Sequence, residues 1–314
     1  MKTFLGGIAC VAFVTAAMTG SASAATRTFA TPEAAFAALL EAAEKQDRKT
    51  VEAIIGPELR AAMLSETGGD DKVIRQLALR AARKRTSIES DPDDPAQRIV
   101  YIGDAEWPFP APLVPAGKKW RFDGQAGIEE IVLRRIGRNE LDLLDGCLGY
   151  VDAQFEYDSA DYDDDGILEY AQRINSHPGK MDGLYWSTAD GEPLSPIGPF
   201  AAAAAWGEDL NGATLTPQSG YYARILTAQG PNARGGARNY MVGDDLLAGF
   251  ALVAWPAEYG KTGIKTFIVN QLGEVYEKDL GSGTDTVAKG LTTYDPDASW
   301  HRVSEDVLKV AAEQ

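Results

Sequence analysis

Apolar residues recur three and four positions apart through the first third of the chain, the spacing of helices that bury one face. Phe36, Leu39, Leu40 and Ala43 form the first stripe, with Glu41, Glu44 and Lys45 on the opposite side. Thr31-Pro32-Glu33 opens it with a capping hydroxyl, a proline whose missing N–H costs nothing in the first turn, and an acid near the positive helix end. Shorter helices are predicted over 50–55 and 58–64, separated by Gly56-Pro57. A fourth covers 71–85, with Val73, Leu77 and Ala81 in register and a basic last turn (Arg80, Arg83, Lys84, Arg85) that suits a helix C-terminus. The strongest period runs from 127 to 157. Ile128, Val132, Ile136, Leu141, Leu144, Leu148, Val151 and Phe155 predict one long helix that connects the two halves of the chain.

Short strands are expected at 98–102, 113–114 and 119–122, after the polar turn Asp91-Pro92-Asp93-Asp94-Pro95. Trp107-Pro108-Phe109-Pro110-Ala111-Pro112 is too rich in proline for a central strand and reads as an extended edge. Beyond the long helix the chain is rich in Gly, Pro and Tyr as far as Pro217. Strand-like runs then follow at 221–228, 239–242, 249–255, 264–270 and 275–280, with a short helix at 286–291. Gln271-Leu272-Gly273-Glu274 reads as a hairpin turn that uses Gly for a positive φ. The fold expected is α+β: a helical N-terminal region with a few strands (25–123), a connecting helix (124–157), and a Gly/Tyr-rich region with a C-terminal antiparallel sheet (158–314).

Residues 1–24 read as a cleavable export signal. Lys2 precedes the apolar run 4–17, and Ser21-Ala22-Ser23-Ala24 offers small residues for cleavage after Ala24. The run is about 14 residues, short of the roughly 20 that a helix needs to cross a bilayer, and no later stretch is longer. Cys10 lacks the usual Leu three residues before a lipidated cysteine, so a periplasmic or secreted protein without a membrane span is expected. Losing Cys10 leaves Cys147 alone, which excludes an intrachain disulfide in the mature chain. The net charge of -16 repels nucleic acid and anionic membrane and attracts cations.

That charge bears on the sharpest local motif, Asp161-Tyr162-Asp163-Asp164-Asp165-Gly166-Ile167-Leu168-Glu169. Calcium is a hard cation that takes six to eight oxygens, and alternate acids followed by a turning Gly are how a short loop wraps it. Asp161, Asp163, Asp165, the Ile167 carbonyl and Glu169 are the candidate ligands. Gln172 stands where a bidentate Glu would close the loop, so a weak structural site is expected, and a solvated acidic turn is the plain alternative. Trp107, Trp186, Trp255 and Tyr259 are candidates for a ligand groove, against the default of core aromatics. Arg134, Arg135 and Arg138 lie beside Glu129, Glu130 and Glu140, which favours ion pairs over an anion clamp. The loop 230–236 lacks the Lys-Ser/Thr pair of a phosphate loop. His177 and His301 have no spaced partners for zinc, and no G-x-S-x-G elbow occurs. These motifs point to no catalytic residue.

Several motifs occur here in order: Trp107-Pro108-Phe109-Pro110, Trp120-Arg121-Phe122-Asp123, Arg134-Arg135-Ile136-Gly137-Arg138-Asn139-Glu140 and Asp182-Gly183-Leu184-Tyr185-Trp186. Arg224-Ile225-Leu226-Thr227-Ala228-Gln229-Gly230, the stretch 249–260 and Val275-Tyr276-Glu277-Lys278-Asp279-Leu280-Gly281 continue them. Together they resemble the bacterial exported family called domain of unknown function 2950, from about Phe29 to Trp300. That resemblance implies export and carries over no activity, cofactor or site residue. Two fainter likenesses concern fold alone. The opening helices with Asp47 and the strand at Trp120 resemble a nuclear-transport-factor-like cone, and the second half resembles the globular region of pilin-like proteins. The function expected is a non-enzymatic periplasmic binding or envelope-interaction protein, calcium-stabilised, with an envelope component or small ligand as partner. The alternative is an envelope hydrolase acting on glycan or peptide through paired carboxylates.

Overall fold

The computed structural model describes residues 26–66, 72–162, 164, 166–188, 193–197 and 219–313. The chain divides into two compact units, Met1–Ile128 and Glu129–Gln314. The predicted export signal lies outside the described residues. Among the described residues no helix is long and apolar enough to cross a membrane.

In the first unit, α1 (Pro32–Glu44), α2 (Arg48–Ile55), α3 (Pro57–Glu66) and α4 (Lys72–Lys84) come first. The Thr31 hydroxyl accepts the Ala34 N–H at 3.2 Å, and Asp47 caps α2 through the Thr50 N–H at 3.1 Å. At both helix starts a short polar side chain satisfies an orphan donor. The strands β1 (Thr86–Ser90), β2 (Arg98–Ile102), β4 (Leu113–Ala116) and β5 (Lys119–Phe122) form an antiparallel sheet in that order, and β3 (Trp107–Pro108) pairs with β2. Phe109 closes the core edge-on to Phe36 and Phe122, with centroids at 6.1 and 5.6 Å. Sequence pattern did not single out β1: Thr-Ser-Ile-Glu-Ser holds one aliphatic residue, and the strand exists because β2 pairs with it from Thr86↔Ile102 to Ser90↔Arg98.

Helix α5 (Gly124–Tyr157) runs unbroken through Gly137, Gly146 and Gly149. At Gly127 a Cβ would sit 2.9 Å from both Ala111 and Leu59 side-chain atoms, so only glycine lets the first turn close there.

The second unit is built on a five-stranded antiparallel sheet, ordered β14 (His301–Arg302), β13 (Val275–Asp279), β12 (Lys265–Asn270), β11 (Ala251–Pro256) and β6 (Tyr221–Leu226). Short pairs accompany it: β7 (Ala228–Gln229) with β8 (Arg238–Asn239), and β9 (Met241–Val242) with β10 (Asp245–Leu246). Every residue of β11 is buried, as expected of a central strand covered on both faces. The β12–β13 hairpin turns where predicted. Gly273 has φ +68, and the Asn270 carboxamide oxygen accepts the Leu272 and Glu274 N–H groups at 3.0 and 3.1 Å.

Register sorts the sheet residues into two faces. Tyr221, Ala223, Ile225, Leu252, Ala254, Phe267 and Val269 share the face that meets Glu140, Cys147 and Tyr150 of α5. Tyr222, Arg224, Trp255, Ile268 and Lys278 share the other, which carries α6 (Thr284–Gly290). That helix is held at both ends. The Trp255 Nε1–H donates to Asp285 at 3.1 Å, and Arg224 donates to the Leu291 carbonyl and, at 3.4 Å, to those of Ala288 and Lys289. A cation at the carbonyl end of a helix is the favourable polarity. The chain finishes in α7 (Glu305–Ala312), capped by Ser304.

Candidate functional site

The acidic loop leaves the end of α5 at once. Asp161 Oδ2 accepts the Gly166 N–H at 2.9 Å, and both Asp164 (φ +62) and Gly166 (φ +89) adopt left-handed conformations that curl the segment. Asp161, Ile167 and Leu168 are exposed. Asp163 and Asp165, two of the predicted calcium ligands, lie outside the described residues. Glu169 behaves differently from a surface acid: it is buried, and its Oε2 accepts the Leu246 N–H at 3.2 Å. Just beyond, the Tyr170 N–H donates to the Leu246 carbonyl at 2.9 Å and Gln172 to that of Asp244 at 2.7 Å. The far side of the loop is therefore docked on the β9–β10 hairpin. No cluster of three His, Cys, Asp or Glu side chains able to hold a metal occurs among the described residues.

The four aromatic candidates do not share one environment. Trp255 is 1% exposed, its indole N–H held by Asp285 and its ring against Tyr222 at 5.9 Å. Trp186 is also buried, donating to the Pro193 carbonyl at 3.0 Å and packing on Tyr162 at 5.0 Å. Burial assigns both rings to the core of the second unit. Tyr259 is exposed, with its hydroxyl on Asp279 at 3.2 Å, and Trp107 is an exposed residue of the first unit.

His177 has partners that its Ser-His-Pro-Gly context did not reveal. Its Nδ1 lies 2.6 Å from Asp182 Oδ2, its backbone N–H donates to Asp182 Oδ1 at 2.8 Å, and Arg173 reaches its Nε2 at 2.9 Å. A guanidinium only donates, so Nε2 accepts from Arg173 and the ring proton sits on Nδ1, facing Asp182. The nitrogen that a general base would use is thus occupied. Burial raises the Asp182 carboxyl, but the His177 ring and backbone hydrogen bonds outweigh it and hold the group below the usual carboxylate range.

The arginine-rich stretch on α5 is structural where its contacts are seen. Arg134 pairs with Glu130 at 2.7 Å, one turn away, and Asn139 donates to the Thr262 carbonyl at 2.8 Å. The glycine-rich connection 230–236 is closed by Asp295, whose Oδ1 accepts the Asn232 backbone and side-chain N–H groups at 2.8 and 3.0 Å. Burial pushes the Cys147 thiol up to about 12, which keeps it protonated and inert.

A concave site lies on the α6 face of the sheet. A cavity of about 250 Å³ is lined by Ile268, Lys278 and Leu280 from the β12–β13 hairpin, Val287 and Leu291 at α6, and Thr293, Asp295, Asp297 and Trp300 from the segment that returns to β14. Lys278 donates to the Ser299 hydroxyl at 2.6 Å and lies 5.7 Å from the Trp300 ring centroid. Asp297 accepts the Ser299 hydroxyl and its N–H, and these hydrogen bonds hold its carboxyl below the ordinary range. Sequence reasoning missed this site. Its residues are spread over 33 positions in four elements, and only the hairpin register and the return of the chain under α6 gather them.

Comparison with known proteins adds the family. The chain belongs to the family described as protein of unknown function (DUF2950), whose model matches residues 26–303. No curated protein and no solved structure matches it.

Proposed function

We propose that this chain is an exported, non-enzymatic binding protein of the envelope, working in the periplasm or outside the cell and carrying calcium as a structural ion. The observation that carries the binding reading is the cavity over β12 and β13, with aliphatic walls and a few charged groups at one side. Pockets that orient small molecules have this composition. At about 250 Å³ it lies just under the usual range of roughly 300–1,000 Å³ for drug-sized ligands, so its occupant is a small metabolite. Export is supported by the three-part pattern of residues 1–24.

The calcium reading is supported by the alternate acids of 161–165 and the left-handed backbone at Asp164 and Gly166. A partial ligand set suggests a dissociation constant of about 0.1–1 mM, the range of extracellular modules. Calcium at about 10 mM then stabilises by roughly 1.4–2.7 kcal/mol, raising the melting temperature by about 3–10 °C relative to a chelator. An unchanged melt at that concentration sinks the calcium part.

The hydrolase alternative needs one acid kept protonated near neutral pH. Asp297 is held ionised by Ser299, the opposite of a general acid. Incubation with peptidoglycan fragments, oligosaccharides and amino acids, read for both retention and turnover, separates the readings. Retention of unchanged compound supports a binder, and released products reject it.

A further inference from the structure

The cavity's own chemistry narrows its ligand, on the premise that the chain is a binding protein. We infer that it takes a small zwitterion with an aliphatic body, the chemistry of a free aliphatic α-amino acid. Two walls are hydrocarbon: Ile268 and Leu280 from the sheet, Val287 and Leu291 from α6 and its end. Such walls favour a branched aliphatic body and give nothing to the hydroxyls of a sugar. The ring face on which a sugar would stack is already approached by the Lys278 ammonium.

The charged groups are two carboxylates and one ammonium. Asp295 and Asp297 each spend Oδ1 on protein N–H or O–H groups, and the second oxygen of each accepts no hydrogen bond among the described residues. Lys278 has three N–H groups and gives one to Ser299. A simple anion entering here meets two like charges, and a simple cation leaves the lysine unanswered. An α-amino acid answers both, ammonium toward the aspartates and carboxylate toward Lys278. Beside the lining, Thr266 pairs across the ladder with Lys278 and is fully buried. Its hydroxyl has no hydrogen-bond partner among the described residues, a further polar group on this face.

The test is calorimetric titration of the full chain with free leucine, 3-methylbutylamine, 4-methylpentanoate and glucose. Leucine is expected to bind saturably, with the amine and the acid each weaker by roughly tenfold or more, since each loses one set of charge-assisted hydrogen bonds. Asp295→Asn and Lys278→Met should each weaken leucine by about 10–100-fold. Val287→Trp, at a half-exposed helix position, should block entry while leaving the far-ultraviolet dichroism and melt intact, which separates lost binding from lost folding. Amine or acid binding as tightly as leucine, or glucose binding in its place, overturns the zwitterion while leaving a binding protein. Binding of leucine that survives Val287→Trp and both charge variants overturns the assignment to this cavity. Silence from all four probes also overturns the inference, and the wider retention screen then decides the binding reading separately.

Discussion

Glu140, near the middle of α5, accepts the backbone N–H of Lys265 at 3.0 Å, 125 positions further along the chain. The same Oε1 accepts the Ile264 N–H at 2.9 Å and the Tyr221 hydroxyl at 3.3 Å. One carboxylate therefore fixes where β12 begins and ties it to β6. Tyr221 is in turn almost fully buried, and burial followed by the nearby Glu140 charge drives its hydroxyl far above the ordinary range, so it stays a donor.

Glu140→Ala removes the acceptor and leaves the Ile264 and Lys265 N–H groups unanswered in a half-buried place. The expected cost is about 2–3 kcal/mol, which lowers the transition of the C-terminal unit by about 4–10 °C in calorimetry. Glu140→Gln keeps an acceptor oxygen and should lose less. A Glu140→Ala protein that melts like the parent would remove this residue from the account of the sheet.

Gln154 makes a second long tie. Fully buried on α5, its amide accepts the Ala171 N–H at 2.8 Å and donates to the Ala171 carbonyl at 2.9 Å, with Tyr150 as a further partner at 2.9 Å. Gln154→Ala strands two buried backbone groups, at a cost of about 2–4 kcal/mol. Because Ala171 directly follows the acidic loop, amide exchange at 170–172 should accelerate before the rest of the sheet does. Uniform acceleration across the sheet would show instead that Gln154 serves only global stability.

Asp182 sets a pH dependence. Its carboxyl is held below the unfolded value near 3.8, because the His177 hydrogen bonds outweigh the opposing effect of burial. A depressed acid contributes stability that is complete above the unfolded value and is lost as pH falls through the folded one. Melting temperature should therefore fall more steeply below about pH 4 in the parent than in Asp182→Asn, which has no such carboxyl to protonate. Parallel acid limbs in the two proteins would contradict the assignment.

The helices and the hairpin are legible from residue order alone, because their signals are local. Thr31 caps its helix from three residues before the N–H it satisfies, and Gly273 meets the φ its turn demands. The extent of α5 was legible too, but its facing was legible only in part. Ile136, Leu144 and Val151 of the predicted stripe are buried, whereas Phe155 is 47% exposed, and Asn139, Cys147, Tyr150 and Gln154 go inside in its stead. Hydrophobic spacing cannot foresee a buried Gln or Asn, since its place depends on a backbone partner such as Ala171 or Thr262 far away in the chain. The same holds for β1, a polar strand made by its neighbour, and for the pair of His177 with Asp182. It holds most for the cavity. Lys278, Asp295 and Trp300 become one lining only when strand register and the path of the chain around α6 set them together, and contacts between distant segments leave no period along a sequence.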